Sequence, residues 1–403
     1  MGTARALAVP FAAVLASSAT ALAQIEVAAD GSGDHVTIQA AIDAAPEGAR
    51  IRVRAGRYTE RLVVTRRVAI LGEGRDVVQV VAPFDAPLSR PVLSVDGTGP
   101  VFIAGLQFGA DPARKPKKPG ASCLVRIDDA DVRFRATAIV GGPGDGVTVS
   151  GASRLEMLGT LIAGVWGSGL RVVPQVGGVA PRVEVVDSEV RDVRESGIRI
   201  GAGTSLTLSR SRVERAALHG VRYAGAEVLL TGCRIQDCGI VGVCGSGGAV
   251  SRVEGNVFFA NRISALRCGD GERAEFVGNT FARSGACGVE IRGADSVVLR
   301  RNLFVGGSVG VLNVPEVAKD GVIDLQGDRF VGVEDLVGGP QPATATDLVR
   351  LEPPVCVDIH SGDLTLRPDG SLREERVGAA EPLPAKSPWP VLPNERAWID
   401  DSE

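Results

Sequence analysis

The chain has 403 residues, room for one large domain or two ordinary ones. Its 44 Lys plus Arg nearly balance 48 Asp plus Glu, which argues against a general electrostatic attraction to nucleic acid. With 52 Gly and only 4% aromatic residues, the core cannot be built from large rings and the backbone must turn often.

Residues 1–23 read as an export signal. Arg5 gives a positive start, Ala6 to Leu15 an apolar stretch, and Ala21-Leu22-Ala23 a small-residue cleavage site before Gln24. The apolar stretch is too short for a membrane helix, and no later segment matches its length without charges, so a soluble, secreted or periplasmic product is expected. Thr37 to Ala45 (TIQAAIDAA) predicts a short amphipathic helix ended by Pro46 and Gly48. Strands follow around Ile51 to Val53, Leu62 to Val64 and Val68 to Leu71, and Lys115 to Pro119 (KPKKP) reads as a polar loop.

An internal repeat dominates the next stretch. A Gly, once Ala, followed by a short alternating apolar strand recurs at Gly146, Gly169, Gly197, Gly220, Gly242, Ala265, Gly288 and Gly310. The steps are 23, 28, 23, 22, 23, 23 and 22 residues, the long one holding a loop insertion from Pro174 to Pro181. A parallel column of small polar residues runs through Thr160, Ser188, Ser211, Cys233, Asn256, Asn279, Asn302 and Asp328. If each period is one coil, column members stack about 4.8 Å apart, and the Asn amides can bond from coil to coil as an asparagine ladder.

A period near 23 is too short for helix pairs, and the leucine-rich-repeat pattern is absent. The expectation is therefore an all-β, right-handed parallel β-helix solenoid over 24–373, its clearest coils at 146–333, with the helix at 37–45 capping its open N-terminal end. Seven cysteines, at 123, 233, 238, 244, 268, 287 and 356, lack paired zinc spacing and read as buried small apolar residues with room for one disulfide. The Pro-rich, acidic segment 374–403 reads as a poorly ordered tail.

Several motifs carry a family likeness. Asp30-Gly31-Ser32-Gly33-Asp34, Thr37-Ile38-Gln39, the AIDAAPEG run, Gly56-Arg57-Tyr58-Thr59-Glu60 and Leu71-Gly72-Glu73-Gly74 together resemble the opening segment of pectin-lyase-fold proteins, pectin methylesterases most clearly. The region from Gly146 to about Val333 resembles the β-helix repeats of that superfamily. The resemblance implies the architecture, and a substrate lying across the strand that follows the Gly column. It does not carry methylesterase activity. The Gly-Arg-Pro-Trp segment of those enzymes is absent, Trp389 lies in the tail, and Gln236-Asp237 is followed by Cys238-Gly239 rather than Thr-Leu.

In each coil the second residue after the Gly column should point outward. Those positions are Thr148, Arg171, Arg199, Arg222, Cys244, Arg267, Glu290 and Leu312, four of them Arg. Stacked like charges repel by on the order of 1 kcal/mol in water, so such a ladder needs anionic company. Either nearby acids such as Asp192, Glu195 and Asp237 supply it, or an acidic polymer does, since guanidinium forks match carboxylate and sulfate groups. Binding candidates are Arg171, Arg199, Arg222, Arg267, Glu290 and Trp166, whose ring precedes Gly169.

Catalytic candidates are Arg199, Arg222, His219, Glu195, Asp192 and Asp237. Hydrolysis needs paired carboxylates at a set separation, and no two of these acids occupy neighbouring coils in one column. Elimination from a uronate needs a base and cations neutralising the carboxylate, roles His219 and the arginines could fill. No metal set or cofactor is identified; Glu290 alone offers too few oxygens for calcium. Gly306-Gly307-Ser308-Val309-Gly310 matches a nucleophile-elbow pattern but falls in a repeat turn.

The functional expectation is a monomeric secreted protein that binds an acidic polysaccharide. Cleavage or modification by lyase, glycosidase or esterase chemistry is left open. The alternative is a non-catalytic envelope module serving as a rigid spacer or interaction scaffold.

Overall fold

The computed structural model describes residues 23–83, 90–110, 123–174, 177–314, 321–340, 344–352, 355–367, 371–373, 375–379 and 383–384. The export signal up to residue 22, the KPKKP loop and Trp389 lie outside them. Three long parallel sheets wrap one core. Sheet A has 14 strands, from Gln24–Val27 to Thr344–Thr346; sheet B has 13, from Gly56–Thr59 to Val349–Leu351; sheet C has 12, from Leu62–Val64 to Asp335–Gly338. The chain visits them in the order A, B, C, and each strand pairs in parallel with its counterpart one coil away. This is a parallel β-helix, with the period that the Gly column marked out.

Alternation makes the strands. In Ala49–Val53, Ala49, Ile51 and Val53 are buried while Arg50 and Arg52 are exposed, and sheet A repeats this pattern coil after coil. Inside, Phe258, Phe281, Phe304 and Phe330 stack at centroid spacings of 5.1, 4.9 and 4.8 Å. Each such pair adds about 0.5–1.5 kcal/mol beyond area burial.

The turn from sheet A to sheet B explains the polar column. Its first residue takes a left-handed backbone, with Gly at 159, 232, 255, 278 and 327 and Asp187, Arg210 and Arg301 elsewhere. The second is the column residue, whose own side chain closes the turn. Asn256 Nδ2 donates to Asn279 Oδ1 (3.0 Å) and to the Leu230 carbonyl (3.0 Å), and Asn279 and Asn302 repeat the pattern one and two coils on. Upstream, Ser188 and Ser211 hydroxyls accept the N–H of the preceding coil's column residue at 3.1 Å. Asp328 ends the run: its Oδ1 accepts two bonds from Asn302, its Oδ2 has no partner among the described residues, and burial pushes its pKa up to about 7.

The N-terminal end is closed as the sequence suggested. The helix Ile38–Ala44 starts at Thr37, whose Oγ1 accepts the Ala40 N–H (3.3 Å), and Ile38, Ala41 and Ile42 bury against the first coil. Glu60 accepts the N–H groups of Ile38 and Gln39, both at 2.8 Å, satisfying orphan donors of the first turn. That gives the GRYTE motif a physical role.

One expectation needs correcting. The seven cysteines form no disulfide; five are buried, and Cys233 itself sits in the turn column, its thiol donating to the Leu208 carbonyl. The last described segments lie against sheet B. Strands Cys356–Asp358 and Asp363–Leu366 pair antiparallel and fold back over the outside of sheet B, where Leu364, Leu366, Leu372, Val377 and Ala379 cover Val257, Leu303 and Val305. The Gly378 N–H then donates to the Arg301 carbonyl (2.9 Å) and the Ala379 N–H to Thr280 Oγ1 (2.9 Å).

Candidate functional site

The Gly column belongs to sheet C, and coil packing requires it. A Cβ at Gly146, Gly169, Gly197 or Gly220 would stand 2.5 or 2.6 Å from the carbonyl oxygen of the next coil. Thr148, Arg171, Arg199, Arg222, Cys244, Arg267, Glu290 and Leu312 follow in unbroken register on neighbouring strands. Every outward position read from the sequence stands in that line.

Their environments differ sharply. Arg171 is clamped: its Nε donates to Asp145 Oδ2 (2.5 Å) and its Nη2 to Asp145 Oδ1 (3.1 Å) and Glu195 Oε2 (3.0 Å). Arg267 is held by Glu290, at 2.9 Å from Nε and 2.8 Å from Nη2. Burial alone would raise the Glu290 carboxyl, but bonds from Ser264 (2.7 Å), Arg292 (2.8 Å) and Arg267 outweigh it and hold the pKa below the usual range. Glu290 is thus a buried structural partner, not a free ligand. Arg199 and Arg222, paired in register and exposed, have no ion-pair partner among the described residues.

Beside these two lies a hollow of about 320 Å³ lined by Arg171, Arg199 and Arg222 with Val173, Pro174 and Gly201. Pro174 opens the loop insertion, so the one long step of the repeat builds a wall of this hollow. His219, in strand His219–Tyr223, is 8% exposed, and its Nδ1 is buried without a partner among the described residues. Burial, together with Arg222 and Arg267, pulls its pKa down to about 4, so the ring is neutral at pH 7. Cys244 stands between Arg222 and Arg267; burial outweighs their charge and raises the thiol.

The other candidates are placed elsewhere. Asp192 and Asp237 take left-handed backbone at the ends of sheet B strands, where short polar side chains fit such turns. Asp192 is bound by Arg215 at 2.6 and 2.9 Å rather than facing the sheet C column. Trp166 is 6% exposed, part of the core, and roofed by the Arg194 guanidinium 4.3 Å from its ring centre, so it offers no face to a sugar. Sequence reasoning missed Asp145. The signal was there, because Asp145 precedes Gly146 as His219 precedes Gly220. A larger groove, about 600 Å³, runs over sheet A beside Leu229 and Val250, where Arg252 meets Glu275 at 2.9 Å.

The sequence pattern of the right-handed β-helix region matches residues 175–316. A pectinesterase from Daucus carota is 42% identical over 65 residues, 14% of this chain; the chain spans about a fifth (20%) of the length of that relative. Among solved structures, the A-module of a mannuronan C-5 epimerase from Azotobacter vinelandii superposes with a TM-score of 0.55 at 16% identity, covering 79% of this chain and 95% of that one. A surface adhesin of Streptococcus pneumoniae gives 0.54 at 12% identity, covering 74% and 86%. A Dettilon tailspike protein gives 0.54 at 13%, covering 81% and 68%. At these identities the likeness shows the fold, a right-handed parallel β-helix of the pectin-lyase kind. No helix among the described residues is long and apolar enough to cross a membrane.

Proposed function

We propose that this β-helix acts outside the cytoplasm and binds an acidic polysaccharide across the outer face of sheet C. The carrying observation is the contrast within one column: Arg171 and Arg267 are neutralised by their own acids, while Arg199 and Arg222 stand exposed and adjacent without acids. Two exposed arginines on strands about 4.8 Å apart repel each other and suit carboxylate or sulfate groups carried on a chain. The hollow beside them gives room for a sugar unit. Polysaccharide-linked names among the structural neighbours are consistent with this reading, and residues 1–23 support export.

The acids favour binding over hydrolysis, since Glu195 is tied to Arg171 and Ser168, and Asp192 to Arg215. One observation favours a second reading, proton transfer. His219 is neutral, its Nδ1 is unpartnered, and Arg222 bears on it electrostatically. A uronate neutralised by Arg222 could lose its C5 proton to that imidazole, the freed pair forming the C4–C5 double bond as the C4–O glycosidic bond breaks and the leaving oxygen takes a proton from water.

The test is to incubate the mature protein with polyuronates, sulfated glycans and neutral glycans. Retention is followed by affinity electrophoresis and products by mass spectrometry. Arg199→Ala with Arg222→Ala should weaken acidic-glycan binding at least about tenfold, the loss of two charge-assisted contacts, and salt should weaken the parent likewise. Unsaturated products lost in His219→Gln would support the second reading. Equal, negligible retention of all three classes would leave the solenoid a rigid spacer.

A further inference from the structure

The outer face of sheet A stays exposed in its middle coils. There the strands Ser205–Ser209, Glu227–Thr231, Val250–Glu254, Arg273–Val277 and Ser296–Arg300 pair in unbroken register. Their outward positions carry three acids and three arginines, so the face has no net charge. Four of the six are matched within the chain: Arg252 meets Glu254 at 3.1 Å and Glu275 at 2.9 Å, and Arg300 meets Glu275 at 3.1 Å. Glu227 and Arg273 are exposed and have no ion-pair partner among the described residues. Between them, one coil from each, stands Val250, 53% exposed. Leu229 adjoins it at 37% exposure, and all four line the hollow of about 600 Å³ over this face.

An unmatched acid and an unmatched base at equal distances from an exposed apolar residue complement themselves under a two-fold rotation. We propose that the outer face of sheet A binds a second copy of this chain, across a two-fold axis running along strand Val250–Glu254. Such an axis sets each outward column against its own counterpart and reverses the order of coils. Val250 then meets the partner's Val250, Glu227 meets the partner's Arg273, and Arg273 meets the partner's Glu227. Arg252 lies on the axis with its charge already taken by Glu254 and Glu275.

The hollow accommodates the long Arg273 side chain of the other copy, whose stem lies over Val250 and Leu229 while its head reaches the acid. An axis along the solenoid would instead put Glu275 on the partner's Glu275 and leave Glu227 opposite Thr231, so charge selects the first arrangement. Five strands about 4.8 Å apart make a face of about 24 Å by 17 Å, small for an obligate dimer and suited to a reversible one. Sheet C takes no part, so ligand binding and self-association can fail independently.

Sedimentation velocity on the full chain tests the proposal. The parent should shift from one copy towards two as concentration rises, and added salt should weaken the association by screening the crossed pairs. Glu227→Arg and Arg273→Glu should each weaken it at least about tenfold, because each sets like charges across the axis twice. Combined in one chain they exchange the two signs, and association should return to within about threefold of the parent. Both positions are exposed, so melting temperatures should hold in all three variants. A single sedimenting copy at every concentration overturns the proposal, as does association that the single reversals leave intact or that the double exchange does not restore.

Discussion

Sheets B and C both present arginines at coil spacing, yet one face is sealed and the other open. On sheet B the sign alternates over one step, Glu189 to Arg212 and Arg191 to Glu214, and the next step sets Arg234 after Arg212, with the carbonyls of Gly362 and Leu383 receiving it. Each of these charges meets an opposite charge or a carbonyl, as with Arg191 to Glu189 at 2.6 Å and Arg234 to the Gly362 carbonyl at 2.8 Å. On sheet C three arginines follow one another and only the first has acids of its own. A partner is what burial demands, since a buried charge without one costs several kcal/mol. Arg212 and Arg234 stay buried next to each other because backbone carbonyls receive them, whereas Arg199 and Arg222 are left to water or an anion. What meets each charge, rather than the order of signs, distinguishes the sealed face from the open one.

The largest expected effect tests the sealed side. Glu214 accepts from Gln236 (3.0 Å), lies 3.5 Å from Arg212 and also meets Arg215. Glu214→Ala strands those buried donors and should cost about 3–5 kcal/mol in denaturant unfolding. A loss below about 1 kcal/mol would mean that water reaches the band and that sheet B is not closed.

Next comes a buried titratable group on the open side. His219 has a pKa of about 4 in the fold against an ordinary 6.5. Unfolded chains take up its proton first, so stability falls as pH drops from about 6.5 towards 4, by at most roughly 3 kcal/mol. His219→Gln should flatten that part of the profile. An equally steep acid limb in the variant would place the loss in other groups.

The interior turn column sharpens the same rule without charge pairs. Asp328 occupies the position where three coils carry Asn, and its raised pKa means stability is lost as pH rises from about 4 to 7. Asp328→Asn removes that loss and supplies a donor for the Leu299 carbonyl, the counterpart of Phe276 one coil earlier. A gain of about 1–2 kcal/mol at pH 8, shrinking towards pH 4, is expected from thermal or denaturant melts. No gain at either pH would show that Asp328 is already satisfied.

The sheet C column was legible to the residue because a strand has period two and the Gly column fixes its phase. The core Phe stack was equally legible at spacings near 23 but went unread. Asp192 and Asp237 were misplaced because nearness in sequence to Arg199 says nothing about which of three sheets a side chain leaves from. Trp166 was read as a turn residue, and only packing with Arg194 shows it roofed. The sealing of sheet B lay furthest beyond reach, since Arg234 meets a carbonyl 149 residues away. No local pattern encodes such a contact.

The smallest expected effect is the most discriminating. Arg199→Ala and Arg222→Ala should each change unfolding free energy by no more than about 0.5 kcal/mol, the range for exposed side chains without partners. The double variant should be no less stable than the sum of the two, and relief of their repulsion should favour it slightly at low salt. Arg171→Ala differs, because it leaves Asp145 and Glu195 facing each other across the vacated position. If Arg222→Ala instead proved as costly as Arg171→Ala, Arg222 would have a structural partner. The open face would then be as closed as sheet B, and the case for an anionic ligand on sheet C would lose its footing.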